Sequence, residues 1–123
     1  SSMGINQLGQ SMRHAWRGIR LAWRHEQNFR LQVGLGLVVV ILMLIFPVRK
    51  SEMLILLLLI FAVLALELLN SALEQFLDIL KPRLQHQVGM VKDMLAAMVL
   101  VLSVAAAVIG GLIFYPYLVS LLP

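Results

Sequence analysis

The chain contains no cysteine. That excludes a disulfide framework, a Cys-liganded zinc and a thiol nucleophile. Charge is also scarce. Only 13% of the 123 residues are Asp, Glu, Lys or Arg, against roughly a quarter in a soluble domain. No GxxxxGK[ST] segment and no kinase-type glycine-rich loop occurs, which excludes the two common nucleotide-phosphate cradles. His14, His25 and His86 lack the spacing of a helical metal site, and no stretch alternates apolar and polar residues as a barrel strand does. What fills the chain is aliphatic. Hydrophobic residues make up 61% and the mean hydropathy is +0.93. Disorder is therefore excluded, a soluble enzyme is disfavoured, and the length allows one domain. The formal charge of +4 would suggest nucleic acid in a soluble protein. In a membrane protein it records basic residues kept on the cytoplasmic side, with no nucleic-acid partner.

Ser1 to Gly4 read as the remnant of an expression tag. From Ile5 to Arg30 the apolar residues Ile5, Leu8, Met12, Trp16, Ile19 and Trp23 recur every three or four positions, which is one face of a helix. Arg13, Arg17, Arg20 and Arg24 form a second stripe beside it. Tryptophans flanked by arginines suit an amphipathic helix lying in the membrane interface, here 5–30. Three apolar stretches follow, at about 31–48, 53–73 and 94–117, each close to the roughly 17–25 residues that cross a bilayer as a helix. The expected fold class is thus an all-α membrane protein, with three transmembrane helices in a domain spanning 31–123. Eight of the ten basic residues precede the first span or lie between the second and third, and two (Arg49 and Lys50) lie between the first and second. The N-terminus is therefore expected in the cytoplasm and the C-terminus outside. Tyr115 and Tyr117 suit the outer interface belt.

The acids carry the functional signal. Glu52 sits beside Arg49 and Lys50 and reads as a solvated surface charge. Glu67 and Asn70 fall inside the second span, where ionisable groups are costly and usually functional. Glu67, Asn70, Glu74 and Asp78 are spaced by three, four and four, which puts them within about 80° of one another on a helix, with Ser71 at the edge of that sector. The alternative is structural: Glu67 and Asn70 could serve as interhelical glue. A stripe of three acids with Asn and Ser favours a site. Lys92-Asp93 opens the third span, where Asp93 can cap the helix and Lys92 can hold a phosphate. Glu26, with Glu74 and Asp78, could share a Mg²⁺ ion, which takes carboxylate and phosphate oxygens. Acids able to hold Mg²⁺ beside basic residues point to a nucleoside triphosphate. A carboxylate one or two turns deeper points to a base meeting a lipid hydroxyl. Phosphoryl transfer asks mainly for such positioning and charge neutralisation.

Three segments carry a family resemblance: Trp16-Arg17-Gly18 leading to Arg24-His25-Glu26-Gln27-Asn28-Phe29-Arg30; Glu67-Leu68-Leu69-Asn70-Ser71-Ala72-Leu73-Glu74 with Asp78; and Lys92-Asp93-Met94. The chain resembles the small bacterial integral-membrane lipid kinases, the diacylglycerol kinase and undecaprenol kinase family. The resemblance implies a homotrimer in the bacterial inner membrane, with composite sites between neighbours, ATP as co-substrate, Mg²⁺, and a membrane lipid alcohol as acceptor. It implies Glu67 as general base and Glu26 and Glu74 as metal and nucleotide carboxylates. Asn70, Lys92 and Asp93 would line the phosphates and reacting centre. His14, Arg17, Asp78 and Arg83 would lie near the nucleotide, and Trp23, Asn28, Phe29, Arg30, Glu67 and Ala96 near the lipid. The family's run of small residues after Lys92-Asp93-Met94 is interrupted here by Leu95 and Met98, leaving Ala96 and Ala97. The rival reading from another class is a small proton-coupled transporter with Glu67 as its proton carrier. Such a protein has little use for Glu74, Asp78, Lys92 and Asp93 at the membrane edge.

Overall fold

The computed structural model describes residues 2–123, with side-chain surroundings from residue 4 onward. The expected tag remnant at 1–4 therefore lies partly outside the described residues. Four helices make up the chain: α1 (Ser2–His25), α2 (Gln27–Ile45), α3 (Lys50–Leu80) and α4 (Gln85–Val119). The last three are long and apolar enough to cross a membrane. α3 is central; α2 and α4 both pack on it, and α1 lies against α2 and α3. Leu44, Leu58 and Leu112 are more than two-thirds exposed. Such outward apolar surface suits hydrocarbon as surroundings.

Proline and charge set the boundaries. α2 stops at Ile45 because Pro47 disfavours helical geometry in the residue before it, and Phe46 is extended, with φ −92° and ψ 150°. Lys81 precedes Pro82 and is likewise extended (φ −75°, ψ 151°), ending α3 at Leu80. α3 thus runs two turns past its apolar stretch, and Glu74 and Asp78 ride on that extension. α4 begins at Gln85, so Asp93 lies two turns inside the helix and does not cap it.

Glu26, which reads in the sequence as the end of the interfacial helix, is where the chain breaks: α1 ends at His25 and the first long helix already starts at Gln27, within the 5–30 segment. Glu26 is extended, with φ −115° and ψ 106°. Its N–H donates to the Ala22 carbonyl at 2.8 Å, and its own carbonyl accepts from the Arg30 N–H at 3.3 Å. One residue therefore closes α1 and opens α2. The last carbonyls of a helix lack intrahelical partners. Here Arg30 supplies them: its Nη1 donates to the Trp23 carbonyl at 2.6 Å and the Arg24 carbonyl at 3.2 Å.

Two apolar clusters hold the bundle at opposite ends. Met43, Leu56 and Phe114 form one, with Phe46 and Ile113 packed against it. Phe46 lies 6.3 Å from Phe114 and 6.2 Å from Tyr117, ring centre to ring centre. Leu77, Val88 and Leu95 form the other, joining α3 to the start of α4 with Met98 alongside. Leu95 and Met98 thus fill the α3–α4 seam. Between the clusters, α2 approaches α3 closely at Gly36, where a Cβ would come within 3.1 Å of Ile60 Cγ2.

Candidate active site

The stripe on α3 passes from buried to exposed. Glu67 is 3% exposed and Ser71 9%. Asn70 and Glu74 are half-buried, and Asp78 is exposed. The three- and four-residue spacing keeps them on one helix face, and the α1–α2 elbow brings Glu26 near it. The Glu26 and Glu74 carboxylates lie close enough to Glu67 to act on its charge. The Asn70 Oδ1 atom is enclosed and has no hydrogen-bond partner. Buried polar groups normally find one, and leaving an acceptor unmade costs about 1–3 kcal/mol. A buried acid and an orphaned amide oxygen thus share one helix face with unused bonding capacity. Beside it, a groove of about 430 Å³ runs between α1 and α3, lined by Gly18, Ala22, Glu26, Ser71, Ala72 and Gln75 among others.

A second group sits at the α3–α4 turn. Lys92 Nζ donates to Asp78 Oδ1 at 2.6 Å, and Lys81 Nζ lies 3.8 Å from the same oxygen. Both partners lie beyond the apolar stretches. The Lys92 ammonium holds the Asp78 carboxyl below the usual carboxylate range, and Asp78 in turn holds Lys92 above the usual lysine range. Glu74 also acts on Lys92, so the ammonium links the two acidic groups.

Three acids do not converge on one point. Among the described residues no group of three His, Asp or Glu side chains could hold a metal. The expected trio of Glu26, Glu74 and Asp78 is therefore not assembled within one chain, because Asp78 is drawn to Lys92 and Lys81. The remaining pair still fits Mg²⁺, which is commonly bound by one or two carboxylates plus substrate phosphates and waters. Neither Glu26 nor Glu74 is engaged in an ion pair among the described residues.

The other sequence candidates scatter. His14 and Arg17 are exposed on α1, Arg83 on the turn, and Asp93 and Ala96 on α4. No ion pair ties them to the acids among the described residues. Trp23 is half-exposed and Asn28 exposed. Phe29 is buried within the chain, at 5% exposure, and Arg30 is occupied at the end of α1. Two features escaped the sequence reading. Lys81 joins Asp78 three residues along one helix side, a spacing that signals such pairs. Gln75 lines the α1–α3 groove one position from the acidic stripe. Glu52 is a correction: it is not a solvated charge. Its side chain is 14% exposed, and its Oε1 accepts the Arg49 N–H at 3.0 Å and the Tyr117 hydroxyl at 2.5 Å. Tyr117 therefore ties the end of α4 to the start of α3.

Three membrane-length helices with a buried acid, a second acid at the elbow and a lysine–aspartate pair at the same end define an integral-membrane protein with a polar site at one end of its spans. The family described as prokaryotic diacylglycerol kinase matches residues 13–114, and the chain belongs to that family. The match takes in Glu26, Glu67, Asn70, Glu74, Asp78, Lys92 and Asp93. Among its relatives is a diacylglycerol kinase of Synechocystis, 33% identical over 113 residues, covering 91% of this chain and 65% of that protein. The undecaprenol kinase of Bacillus subtilis is 34% identical over 114 residues, covering 93% of each chain. The diacylglycerol kinase of Escherichia coli K12 is 27% identical over 108 residues, covering 88% of each. The chain thus spans just under two-thirds of the Synechocystis relative and most of the other two.

Proposed function

We propose that this chain is an ATP-dependent, Mg²⁺-requiring lipid kinase of the inner membrane, acting on the hydroxyl of diacylglycerol or undecaprenol. The observation that carries the reading is the near-complete burial of Glu67 on a membrane-length helix, with Glu26 and Glu74 beside it, inside the segment that matches the family. The transporter alternative is disfavoured, because the relatives carry the names of kinases.

Glu67 takes the proton of the lipid hydroxyl. The freed oxygen bonds to the γ-phosphorus of ATP, and the bond to the β–γ bridging oxygen breaks to leave ADP. Asn70 Oδ1, enclosed and unpartnered, orients a donor at the reacting centre. Glu26 and Glu74 are the carboxylates for Mg²⁺, which, when bound, neutralises charge on the phosphates. Lys92 and Asp93 line the phosphate side, and Asp78 sets the position of the Lys92 ammonium. His14, Arg17 and Arg83 face the nucleotide in the assembled protein. Trp23, Asn28, Phe29, Arg30 and Ala96 shape the lipid side, with Phe29 and Arg30 acting through the elbow they build. In this reading the chain assembles as a homotrimer, in which a neighbour's α1 or turn supplies the exposed groups that one chain leaves apart. In this reading 5–30 sits at the cytoplasmic face, the spans occupy about 31–48, 53–73 and 94–117, and the C-terminus lies outside.

The experiment is phosphorylation of short-chain diacylglycerol and of undecaprenol, side by side, by the purified protein with labelled ATP and Mg²⁺ in lipid or detergent. Labelled lipid from either acceptor is the expected result. Labelled lipid from neither overturns the reading.

A further inference from the structure

α1 carries a basic face of which the proposed site uses Arg17 alone. Arg13, Arg17, Arg20 and Arg24 step by four, three and four, so they fall within about 60° of one another on the helix. All four are exposed. None makes an ion pair among the described residues, and α1 itself contains no acid to neutralise them. At 100° per residue they lie roughly opposite Ala15, Gly18 and Ala22, which line the groove against α3. The apolar stripe of Ile5, Leu8, Met12, Trp16, Ile19 and Trp23 runs between these two faces. It too is uncovered, with Trp16 61% and Ile5 72% exposed.

The arrangement has hollows of headgroup size. One depression of about 400 Å³ is bounded by Met12, Arg13, Trp16, Arg17 and Arg20. A second, of about 220 Å³, is bounded by Arg17, Arg20, Leu21 and Arg24. In each, guanidinium groups stand beside apolar side chains. A phospholipid phosphate requires the former and its glycerol and upper acyl chain the latter. Guanidinium forks suit phosphate oxygens, and unpaired cations beside a bilayer attract anionic lipid.

We propose that the arginine face of α1 is a docking surface for anionic phospholipid headgroups, so that the protein gathers such lipids around α1 in preference to zwitterionic ones. The proposal goes beyond the kinase reading, because it concerns bilayer lipids that are not phosphorylated. It rests on α1 lying at the bilayer surface, and its test does not require turnover.

Both tryptophans of the chain, Trp16 and Trp23, lie on α1, so intrinsic tryptophan fluorescence reports this helix alone. The protein is placed in vesicles of phosphatidylcholine and phosphatidylglycerol at a fixed ratio, with bromine on the upper acyl chain of one lipid or the other. At equal mole fraction of brominated lipid, quenching by phosphatidylglycerol should exceed that by phosphatidylcholine by at least about twofold at low salt. The excess should shrink in high salt, where the screening length falls to about 3 Å. The triple variant Arg13→Gln, Arg20→Gln, Arg24→Gln should lose the excess while phosphatidylcholine quenches it as before, which also shows that its α1 still sits on the bilayer. Equal quenching by the two lipids in the unaltered protein overturns the proposal. So does an excess that survives both salt and the triple substitution, and so does absence of quenching by either lipid. Labelled-ATP phosphorylation of lipid alcohol on the same vesicles reports the kinase reading separately.

Discussion

Lys92, at the start of α4, reaches across the turn to Asp78 at the end of α3 and donates to its carboxylate at 2.6 Å. Asp78 titrates below the usual carboxylate range because of that bond, and Lys92 above the usual lysine range for the same reason. A depressed carboxylate contributes stability above its unfolded value of about 3.9 and loses it as pH falls through the folded value. A raised lysine contributes below its unfolded value of about 10.4 and loses it as pH rises through the folded value. The contact should therefore persist across the whole range between. Amide exchange in the 81–84 turn should be insensitive to pairing between about pH 5 and 9 once the intrinsic pH effect is removed. Asp78→Asn should speed it at every pH in that window.

Glu67→Gln separates catalysis from packing. The amide keeps the size of the buried side chain and most of its bonding but cannot take a proton. Lipid phosphorylation should fall by roughly 10²-fold or more, with oligomer size and ATP binding retained. Full activity in Glu67→Gln would reduce the α3 stripe to interhelical glue.

Glu26→Gln and Glu74→Gln each remove charge alone. Either should raise the Mg²⁺ concentration needed for half-maximal activity by about tenfold, equal to roughly 1.4 kcal/mol, without altering the oligomer. Magnesium titration of each variant is the measurement, and an unshifted curve removes that residue from the metal site.

Arg30→Gln should loosen the elbow. The Trp23 and Arg24 carbonyls lose their guanidinium donor, and a charged hydrogen bond contributes about 1.5–3 kcal/mol. Amide exchange over 25–30 should quicken by roughly tenfold or more, while the middle of α3 is unaffected.

Topology is checked by a reporter fused after Pro123. It should be active only on the outer side of the membrane, following the distribution of basic residues. Activity in the cytoplasm would invert the arrangement.

Much of this molecule is written in periodicity. Three apolar stretches announce the three long helices, and the three- and four-residue spacing of Glu67, Asn70, Glu74 and Asp78 announces their shared face. What is not written there depends on partners distant in sequence. The break at Glu26 is invisible to periodicity, because the apolar stripe of α1 runs up to it and no proline or glycine marks it. It is stabilised by Arg30, a residue that looks like any flanking charge. Glu52 reads as solvated because its neighbours are Arg49 and Lys50, yet its partner Tyr117 lies 65 positions away. Asp93 reads as a cap because apolar residues begin after it, but Gln85 to Lys92 are already helical. Leu95 reads as an intrusion until its place against Leu77 and Val88 is seen.

The bond between Glu52 and Tyr117 has a mechanical consequence. It fixes α3 and α4 together at the end remote from the acids, and α3 is one unbroken helix from there to Asp78. At 1.5 Å per residue that is a lever about 39 Å long. One degree of rotation at the tyrosine becomes about 0.7 Å of travel at the lysine–aspartate contact, a displacement large enough to break a hydrogen bond after only a few degrees. The Leu77, Val88 and Leu95 cluster limits that travel at the far end, so the two ends of the α3–α4 seam act as opposed clamps, and Tyr117→Phe should release only the one it belongs to.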